Sequence, residues 1–269
     1  MDFTRLKKLV VPEGTVKKVE IGGKTVWQKE THNPDLGSSL TSAQSTAIRA
    51  DNFDAIRVGD YWTFSNVSYS YVNESNATVS DTNSGTMRVA DCDYYLNTGD
   101  TKLTTHHVVV PDANMYNAQM NSTDTTAGGY VGSKMYTTHL RRAEAIFKAC
   151  FGESHVLKHR EYLVNTVNTS ASVGKQEAAG AWYDSTVELM DERMVWGTAY
   201  YANTSLPSVS NKQLSLFKND SSRITTTGNW YWLRNVARGT AFASVHGGGR
   251  RYGTSASDYD GVRPAALIY

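Results

Sequence analysis

Few side chains in this sequence have types and spacing that could do chemistry, and the histidine pairs are the first to consider. His155 and His159 are four residues apart, a spacing that would place both on one helix face and could hold a metal ion. No HExxH motif surrounds them and no acidic third ligand stands nearby, so surface or partly buried histidines are favoured. His106 and His107 begin a predicted strand, where neighbours point to opposite faces and cannot chelate together without distortion. The sequence therefore predicts no metal site.

Two further candidates stand near the C-terminus. Gly247, Gly248 and Gly249 could cradle a phosphate, but a phosphate loop needs a helix N-terminus after it and RRYGTSASDYDG is not helical, so a flexible surface loop is predicted. Asp258 and Asp260 could act as paired carboxylates, yet with no perturbing neighbour we interpret them as solvated loop acids. GxSxG, P-loop and GxGxxG motifs are absent. We expect no catalytic residue and no cofactor.

Composition excludes several functional classes. The 269 residues, of which 40% are hydrophobic, suffice for one substantial domain with a core and small appendages. The 27 basic residues nearly cancel the 26 acidic ones, which argues against a nucleic-acid partner. Cys92 and Cys150 are far apart and are expected to be small buried side chains in a protein folded in a reducing cytoplasm. No apolar run has the length of a membrane span, so no membrane insertion is expected.

The chain organisation predicts an α+β fold. Residues 1–30 contain a β-hairpin around Gly22 and Gly23, residues 31–50 resemble a linker with one helical turn, and residues 51–269 form the domain. Apolar residues at strand-like spacing run from Ile56 to Phe64, and a polar loop rich in Asn, Ser and Thr is expected after them up to Gly85. The clearest helix runs from Lys134 to Phe151. Strands are predicted at 87–96, 106–110, 187–190, 195–200 and from Trp230 onward, with a helical or mixed patch at 156–164 and a short turn at 214–217.

Residues 235–260 carry the strongest signal, which is compositional. Lys, Glu, Gln, Met and Trp make up 41 of the 269 residues, so about four would be expected in this stretch, and it contains none. Tyr, Ser, Gly, Asp and Arg replace them, and recognition loops favour these residues for rigid contacts and adaptable hydrogen bonds. An ordinary glycine-rich C-terminal loop would have a similar composition, and composition alone leaves both interpretations open.

The flanks of this block carry a family resemblance. WYWLRNVARGTAFASV (230–245) followed by DGVRPAALIY (260–269) resembles the C-terminal pattern of C-type lectin-fold proteins of bacteria and their phages. It looks most like the variable proteins that retroelements diversify, as in phage tail receptor-binding proteins. Mutagenesis of AAY codons in that family yields NNY codons, which never specify Lys, Glu, Gln, Met or Trp. AGAWYDSTVELMDERMVWG (179–197) and the N-terminal VPEGTVKKVEIGGKTVW also resemble segments of such phage proteins.

The resemblance implies a C-type lectin-like domain with a variable region at about 230–269, preceded by an attachment hairpin. It implies a non-enzymatic ligand-display protein of the phage tail, hence of the virion, folded in the host cytoplasm. Its partners would be a host cell-surface receptor, protein or glycan, and other tail proteins, and a homotrimer is compatible with the family. The EPN, QPD and WND motifs of calcium-dependent lectins are absent. A formylglycine-generating type of enzyme, which needs a reactive cysteine pair, and a bacterial surface adhesin are the alternatives.

The same resemblance assigns roles within the block. Trp230, Trp232, Arg234 and Arg263 are expected to form the scaffold. Trp230 and Trp232 are also expected in the core, together with Leu233, Phe242, Val245, Val262 and Leu267. The side chains between them are expected to face solvent and to vary. The predicted ligand-binding positions are Arg238, Thr240, Ser244, His246, Gly247, Gly248, Arg250, Arg251, Tyr252, Gly253, Thr254, Ser255, Asp258, Tyr259 and Asp260. Arg250, Arg251, Tyr252 and Tyr259 are the expected affinity anchors.

Overall fold

The N-terminal segment contains the predicted hairpin. The structure, a computed structural model, describes residues 18–21, 24–28, 32–209 and 212–269. The chain divides into two units, Met1–Asn33 and Pro34–Tyr269. In the first unit, strand β1 (Lys18–Ile21) pairs antiparallel with strand β2 (Lys24–Gln28), and Ile21 stands opposite Lys24. This pairing is the one that the glycine pair between the strands predicts.

The second unit starts earlier than the sequence predicts. Helix α1 (Ser42–Arg49) begins at Thr41, whose hydroxyl accepts the Gln44 backbone N–H while the Gln44 side chain accepts the Thr41 N–H. This reciprocal capping stabilises the start of the helix. Ile48 is 1% exposed and joins the core of the unit. The predicted linker over 31–50 is therefore wrong from Pro34 onward, because one capped helix with a buried side chain lies within a mostly polar stretch.

The first five-stranded sheet contains the longest hairpin of the second unit. Its strands are β3 (Tyr61–Val72), β4 (Thr78–Cys92), β5 (His107–Pro111), β9 (Val187–Leu189) and β14 (Pro264–Ile268), in the order β3–β4–β5–β14–β9. The predicted polar loop up to Gly85 is wrong, since β3 and β4 pair through it. The outer halves of these two strands are solvent-exposed, so polar side chains pair across them. Ser70 and Ser80, for example, have their hydroxyl oxygens 2.8 Å apart.

The second five-stranded sheet is built mainly from the C-terminal block. Its strands are β6 (Tyr116–Ala118), β10 (Tyr231–Arg238), β11 (Ala241–Val245), β12 (Arg251–Ser255) and β13 (Asp260–Val262), in the order β12–β11–β10–β13–β6. β10, β11 and β12 are antiparallel neighbours, and β13 runs parallel to β10. The predicted strand-rich C-terminus is confirmed, and β12 and β6 form the two opposite edges of this sheet.

Two short predictions in the middle of the chain are wrong. The helical or mixed patch at 156–164 belongs largely to strand β7 (His159–Val167), which pairs antiparallel with strand β8 (Glu177–Ser185). Its buried positions alternate through His159, Glu161 and Leu163, and two polar residues among them hide the period of two. The strand predicted at 195–200 is instead the end of helix α3 (Glu192–Trp196) and the following loop, since the Asp191 carboxylate caps that helix by accepting the Arg193 N–H.

The long helix is confirmed. A π-helical turn (Met135–His139) leads into helix α2 (Leu140–Phe151), which stops at Gly152 with φ of 89°. The Phe151 ring of this helix lies 5.3 Å from the Trp62 ring and 5.2 Å from the Phe64 ring, edge to face in both cases. These contacts pack the helix against the first sheet.

The core lies on both faces of the second sheet. Trp232, Phe242 and Val262 belong to one buried cluster, and Leu233, Val245 and Leu267 belong to the other. The predicted core residues of the block are thus buried, apart from Trp230, and the architecture is mixed α+β with mostly sheet and few helices. No helix among the described residues is long and apolar enough to cross a membrane.

Candidate ligand-binding surface

Arg263 fastens the C-terminal strands to the rest of the domain. It is 1% exposed, and its guanidinium lies 5.3 Å from the Phe217 ring and 5.1 Å from the Tyr231 ring. Its nitrogens donate to three backbone carbonyls, those of Pro111, Ser222 and Arg223. The planar, permanently charged group suits this buried arrangement. Its predicted scaffold role fits this geometry, as does that of Trp232, which is fully buried and donates its indole N–H to the Ala118 carbonyl at 2.8 Å.

Arg234 is a buried charge with a buried partner. Its Nη2 lies 3.1 Å from Glu161 Oε2, and both side chains are almost completely excluded from solvent. Burial alone would raise the pKa of Glu161, but the Arg234 charge and the neighbouring His159 lower it to about 2. The ion pair connects β10 to β7 through a contact that solvent does not reach.

An aromatic cluster stands at the start of β10. The Trp230 ring lies 4.4 Å from the His246 ring and 4.9 Å from the Tyr252 ring, the latter edge to face. Trp230 is partly exposed, which corrects its predicted place in the core. It stands just before β10 and packs on the His246 and Tyr252 side chains instead. Tyr252 is 50% exposed. The His246 and Tyr252 rings thus form one aromatic surface with Trp230, in which Trp230 and His246 are partly exposed and Tyr252 is exposed.

Two arginines extend this cluster around the edge strand. His246, Gly248, Arg250, Arg251 and Tyr252 line an open depression of about 510 Å³. Arg250 is exposed, whereas Arg251 stacks on Trp196 at 4.7 Å and donates to the Thr198 carbonyl at 2.6 Å. We call the six residues Trp230, His246, Gly248, Arg250, Arg251 and Tyr252 the β12-edge surface.

The glycine run makes the turn between β11 and β12. The His246 N–H donates to the Arg250 carbonyl at 2.8 Å, and the Gly249 N–H donates to the His246 carbonyl at 2.7 Å. Gly249 has φ of 77°, a conformation that favours glycine. A β-carbon on Gly247 would overlap the Gly228 carbonyl oxygen, so the prediction that Gly247 varies is wrong. The run is a hydrogen-bonded turn between the two strands.

Three more predicted positions do not face solvent. Ser244 is fully buried and Thr254 is 6% exposed, and their hydroxyl oxygens lie 2.6 Å apart across the β11–β12 pair. Gly253 is buried, and a β-carbon there would stand 3.0 Å from that of Ala237. These predictions are wrong because both faces of the sheet are covered. Asp260 is half-buried and not the solvated acid expected, and burial raises its pKa to about 6.

The remaining predicted positions are not members of the β12-edge surface, although Arg238 donates to the Gly253 carbonyl of β12 at 3.4 Å. Arg238 and Thr240 are exposed where β10 turns into β11, Ser255 ends β12 opposite Ala241, and Asp258 is exposed in the next loop. Tyr259 is 69% exposed and lines a separate cleft near β6, the opposite edge of the sheet. The predicted positions therefore divide among the β12-edge surface, the turn between β10 and β11, the loop between β12 and β13, and a buried interior.

Metal-ligating and nucleophilic groups are not assembled in the described residues. His155 lies 2.8 Å from the Tyr269 carbonyl oxygen and precedes β7, while His159 starts that strand, so they share no helix face. No group of three His, Cys, Asp or Glu side chains could hold a metal in the described part of the chain. Cys92 and Cys150 are free thiols, and burial raises the pKa of each to about 12. Thiols with a raised pKa are poor nucleophiles at neutral pH.

Comparisons with known proteins return no match to a protein-family model, a curated protein or a solved structure. Because a fold alone does not define a function, the function has to be inferred from the side chains of the surface.

The loop after α3 borders this surface, and sequence reasoning does not find it. Tyr200 is 57% exposed and packs edge to face on Tyr201, and the Tyr201 hydroxyl reaches within 3.4 Å of a β-carbon position on Gly253. Glu192 holds this loop, since its Oε2 accepts the backbone N–H groups of Tyr200, Tyr201 and Ala202. The adjacent tyrosines Tyr200 and Tyr201 could have drawn attention to this loop in the sequence. The contact of Tyr201 with β12, however, depends on the tertiary fold.

Proposed function

We propose that this protein is a non-enzymatic ligand-display protein, a phage tail-tip receptor-binding protein whose second unit has the C-type lectin-like fold. The observation that carries the proposal is the β12-edge surface, where Tyr252 of β12 reaches solvent beside Trp230 and Arg250, which stand just before β10 and β12. Tyr, Trp and Arg are the residues that dominate binding energy at protein interfaces.

The rigidity of this surface supports a binding role. The turn at Gly247–Gly249 is closed by backbone hydrogen bonds, Arg251 is stacked on Trp196, and β10 is anchored below by the Arg234–Glu161 ion pair. Side chains held in place before binding lose little conformational entropy when a partner arrives. Such a framework tolerates changes at Arg250 or Tyr252 because neither side chain contributes much to the core.

The division between exposed and buried positions supports the diversification that the family resemblance implies. Exposed residues of the block, such as Arg238, Thr240, Arg250 and Tyr252, are free to change, whereas Ser244 and Thr254 are not. The thiols of the partly buried Cys92 and the buried Cys150, each with a raised pKa, favour display over the alternative enzyme of the formylglycine-generating type, which needs a reactive pair. The partner is a host cell-surface receptor, and the β1–β2 hairpin attaches the protein to other tail proteins in the virion.

Binding to bacterial cells tests this proposal. The fluorescently labelled full chain should stain a subset of strains in a panel of bacterial isolates. Arg250→Ala and Tyr252→Ala should each reduce staining at least tenfold, while Arg141→Ala, which removes an exposed arginine from α2, should leave it unchanged. Failure to stain any strain, or equal staining by all variants, would contradict a receptor-binding role for this surface.

The DNA that flanks the gene tests the diversification independently. We expect a near-copy of the 3′ end of the gene, beside a reverse transcriptase, with adenines at the codons of Arg238, Thr240, Arg250 and Tyr252. The codons for the buried Ser244 and Thr254 should match in both copies. A flank without such a copy would remove the retroelement from the proposal and leave the binding surface to be judged by the cell experiment.

A further inference from the structure

A second cleft lies at the β6 edge of the second sheet, with a volume of about 370 Å³. Small-molecule sites in proteins typically enclose about 300–1,000 Å³. Its walls come from the β3–β4 hairpin (Tyr71, Asn73), from β6 (Tyr116, Asn117), from the end of the π-helical turn (His139) and from Tyr259. We call it the β6 cleft. Four strand spacings of about 4.8 Å separate β6 from β12, so the cleft stands roughly 19 Å from the β12-edge surface.

Aromatic rings form much of the wall and are held in place. Tyr116 donates its hydroxyl to the His139 carbonyl at 2.7 Å, which ties β6 to the turn before α2. The Arg142 guanidinium lies 4.8 Å from the Tyr116 ring and 5.8 Å from the Tyr71 ring. Tyr259 is 69% exposed, the highest fraction among the exposed large hydrophobic side chains of the described residues. It offers an open ring face at the mouth of the cleft.

The charges around the β6 cleft are already paired. Lys134 lies 2.6 Å from Glu74, which His139 also approaches at 3.4 Å. Arg142 donates to Asp81 at 2.9 Å and to the Tyr69 hydroxyl at 2.8 Å. A phosphate or carboxylate ligand would have to compete with these partners, and a cationic ligand would have to displace Lys134. The electrostatics therefore favour a neutral ligand.

Neutral hydrogen-bonding groups are available for such a ligand. The exposed Asn117 amide makes no hydrogen bond to the rest of the described chain. The Asn73 Oδ1 accepts the Ser75 and Ala77 N–H groups, which orients its amide nitrogen as a fixed donor. An amide both donates and accepts, as a hydroxyl does, so these groups match a ligand rich in hydroxyls.

We propose that the β6 cleft binds a neutral saccharide ring. The apolar C–H face of a sugar packs on an aromatic ring, here that of Tyr259, while its hydroxyls exchange hydrogen bonds with Asn117 and Asn73. A nucleotide would also stack on tyrosine, but its phosphate would find each nearby cation already paired. The site is additional to the receptor-binding function proposed above, because it shares no residue with the β12-edge surface.

Saturation-transfer NMR with the full chain tests this inference. The probes are the methyl glycosides of glucose, galactose, mannose and N-acetylglucosamine, with adenosine monophosphate and methyl glucuronide as charged comparisons. We expect at least one neutral glycoside to bind with millimolar affinity, as is usual for a single weakly held ring. Tyr259→Ala and Asn117→Ala should each weaken it at least fivefold, whereas Tyr259→Phe should retain it because stacking uses the ring.

Tyr252→Ala provides the matched control, since it removes an exposed tyrosine from the opposite edge of the sheet. It should reduce staining of cells at least tenfold without changing glycoside binding, whereas Tyr259→Ala should weaken glycoside binding at least fivefold without changing staining. Binding of adenosine monophosphate or methyl glucuronide in preference to every neutral glycoside would overturn the inference. So would the absence of any glycoside signal, or a loss with Tyr252→Ala as large as that with Tyr259→Ala.

Discussion

The carboxylate of Glu192 links the loop after α3 to Arg251 on the edge strand. Glu192 Oε1 lies 3.5 Å from Arg251 Nε, and its other oxygen accepts the three N–H groups at Tyr200, Tyr201 and Ala202. Glu192 is fully buried at 0% exposure. One carboxylate therefore sets the position of both the loop that carries Tyr200 and the strand that carries Tyr252.

Replacing this carboxylate should destabilise the domain. Glu192→Gln keeps the shape of the side chain but gives three backbone donors a neutral acceptor, which should lower the free energy of unfolding by about 1–3 kcal/mol. Urea denaturation checks this result. The matched control is Glu144→Gln, on a partly exposed i,i+4 pair with Lys148 in α2, which should cost about 0.5 kcal/mol or less. Equal losses in the two variants would show that Glu192 does not have the anchoring role described above.

The scaffold and the β12-edge surface should respond differently to truncation. Trp232→Ala removes a fully buried ring and should cost about 3–5 kcal/mol, because the cavity cannot close over so large a side chain. Tyr252→Ala loses only its edge contact with Trp230 and should cost about 1 kcal/mol or less. Thermal melts of the two variants check the difference. A larger loss from Tyr252→Ala than from Trp232→Ala would mean that the surface is part of the scaffold.

The buried Glu188 should make stability depend on pH. Burial raises its pKa from 4.5 to about 7, against hydrogen bonds from Ser185 and Tyr130. The folded state thus binds this proton more tightly than the unfolded chain, so the stabilisation is complete below pH 4.5 and is lost as pH rises through 7. Glu188→Gln is neutral at every pH. Its stability relative to the native protein should rise by about 1–3 kcal/mol between about pH 5 and pH 8.

The comparison with Glu188→Gln also separates the pH dependence due to Glu188 from the pH dependence due to His106. Burial lowers the pKa of His106 to about 4, so its contribution grows as pH rises toward 6.5, in the opposite direction. Both proteins contain His106, and its effect cancels in their difference. Urea denaturation of the pair at several pH values gives that difference, and a difference independent of pH would contradict the raised pKa of Glu188.

Calcium should be dispensable for folding. Glu177 and Asp191 are buried close together, but both accept the Asn235 amide N–H, and the backbone N–H groups of Val236 and Arg193 point at them. A cation would be repelled by this array of donors, whereas calcium requires about six to eight oxygen ligands. Excess EDTA should therefore leave the melting temperature unchanged. A drop of several degrees that added calcium restores would reveal an ion site.

Local patterns were reliable where one side of an element is apolar and its ends carry stop signals. The helix up to Phe151 has an apolar stripe and ends at Gly152, and the hairpin strands flank a glycine pair, so both were predicted correctly. The strand β7 was missed because His159 and Glu161 occupy its buried positions. Those residues are tolerated there only because Arg234, from a distant part of the chain, neutralises Glu161.

The sequence by itself determined the strand-rich C-terminal block, its buried Trp232 and a composition suited to recognition, since these follow from side-chain type and local periodicity. The scaffold role of Arg263 was an implication of the family resemblance. Only the tertiary structure decided which members of the block reach solvent. Ser244 and Thr254 are covered because the second sheet packs on both faces, while Trp230 is left partly open beyond the start of β10. Tyr252 and Tyr259 are seven residues apart, yet strand order places them at opposite edges. Burial depends on which strands become neighbours, and that information is distributed over the whole chain.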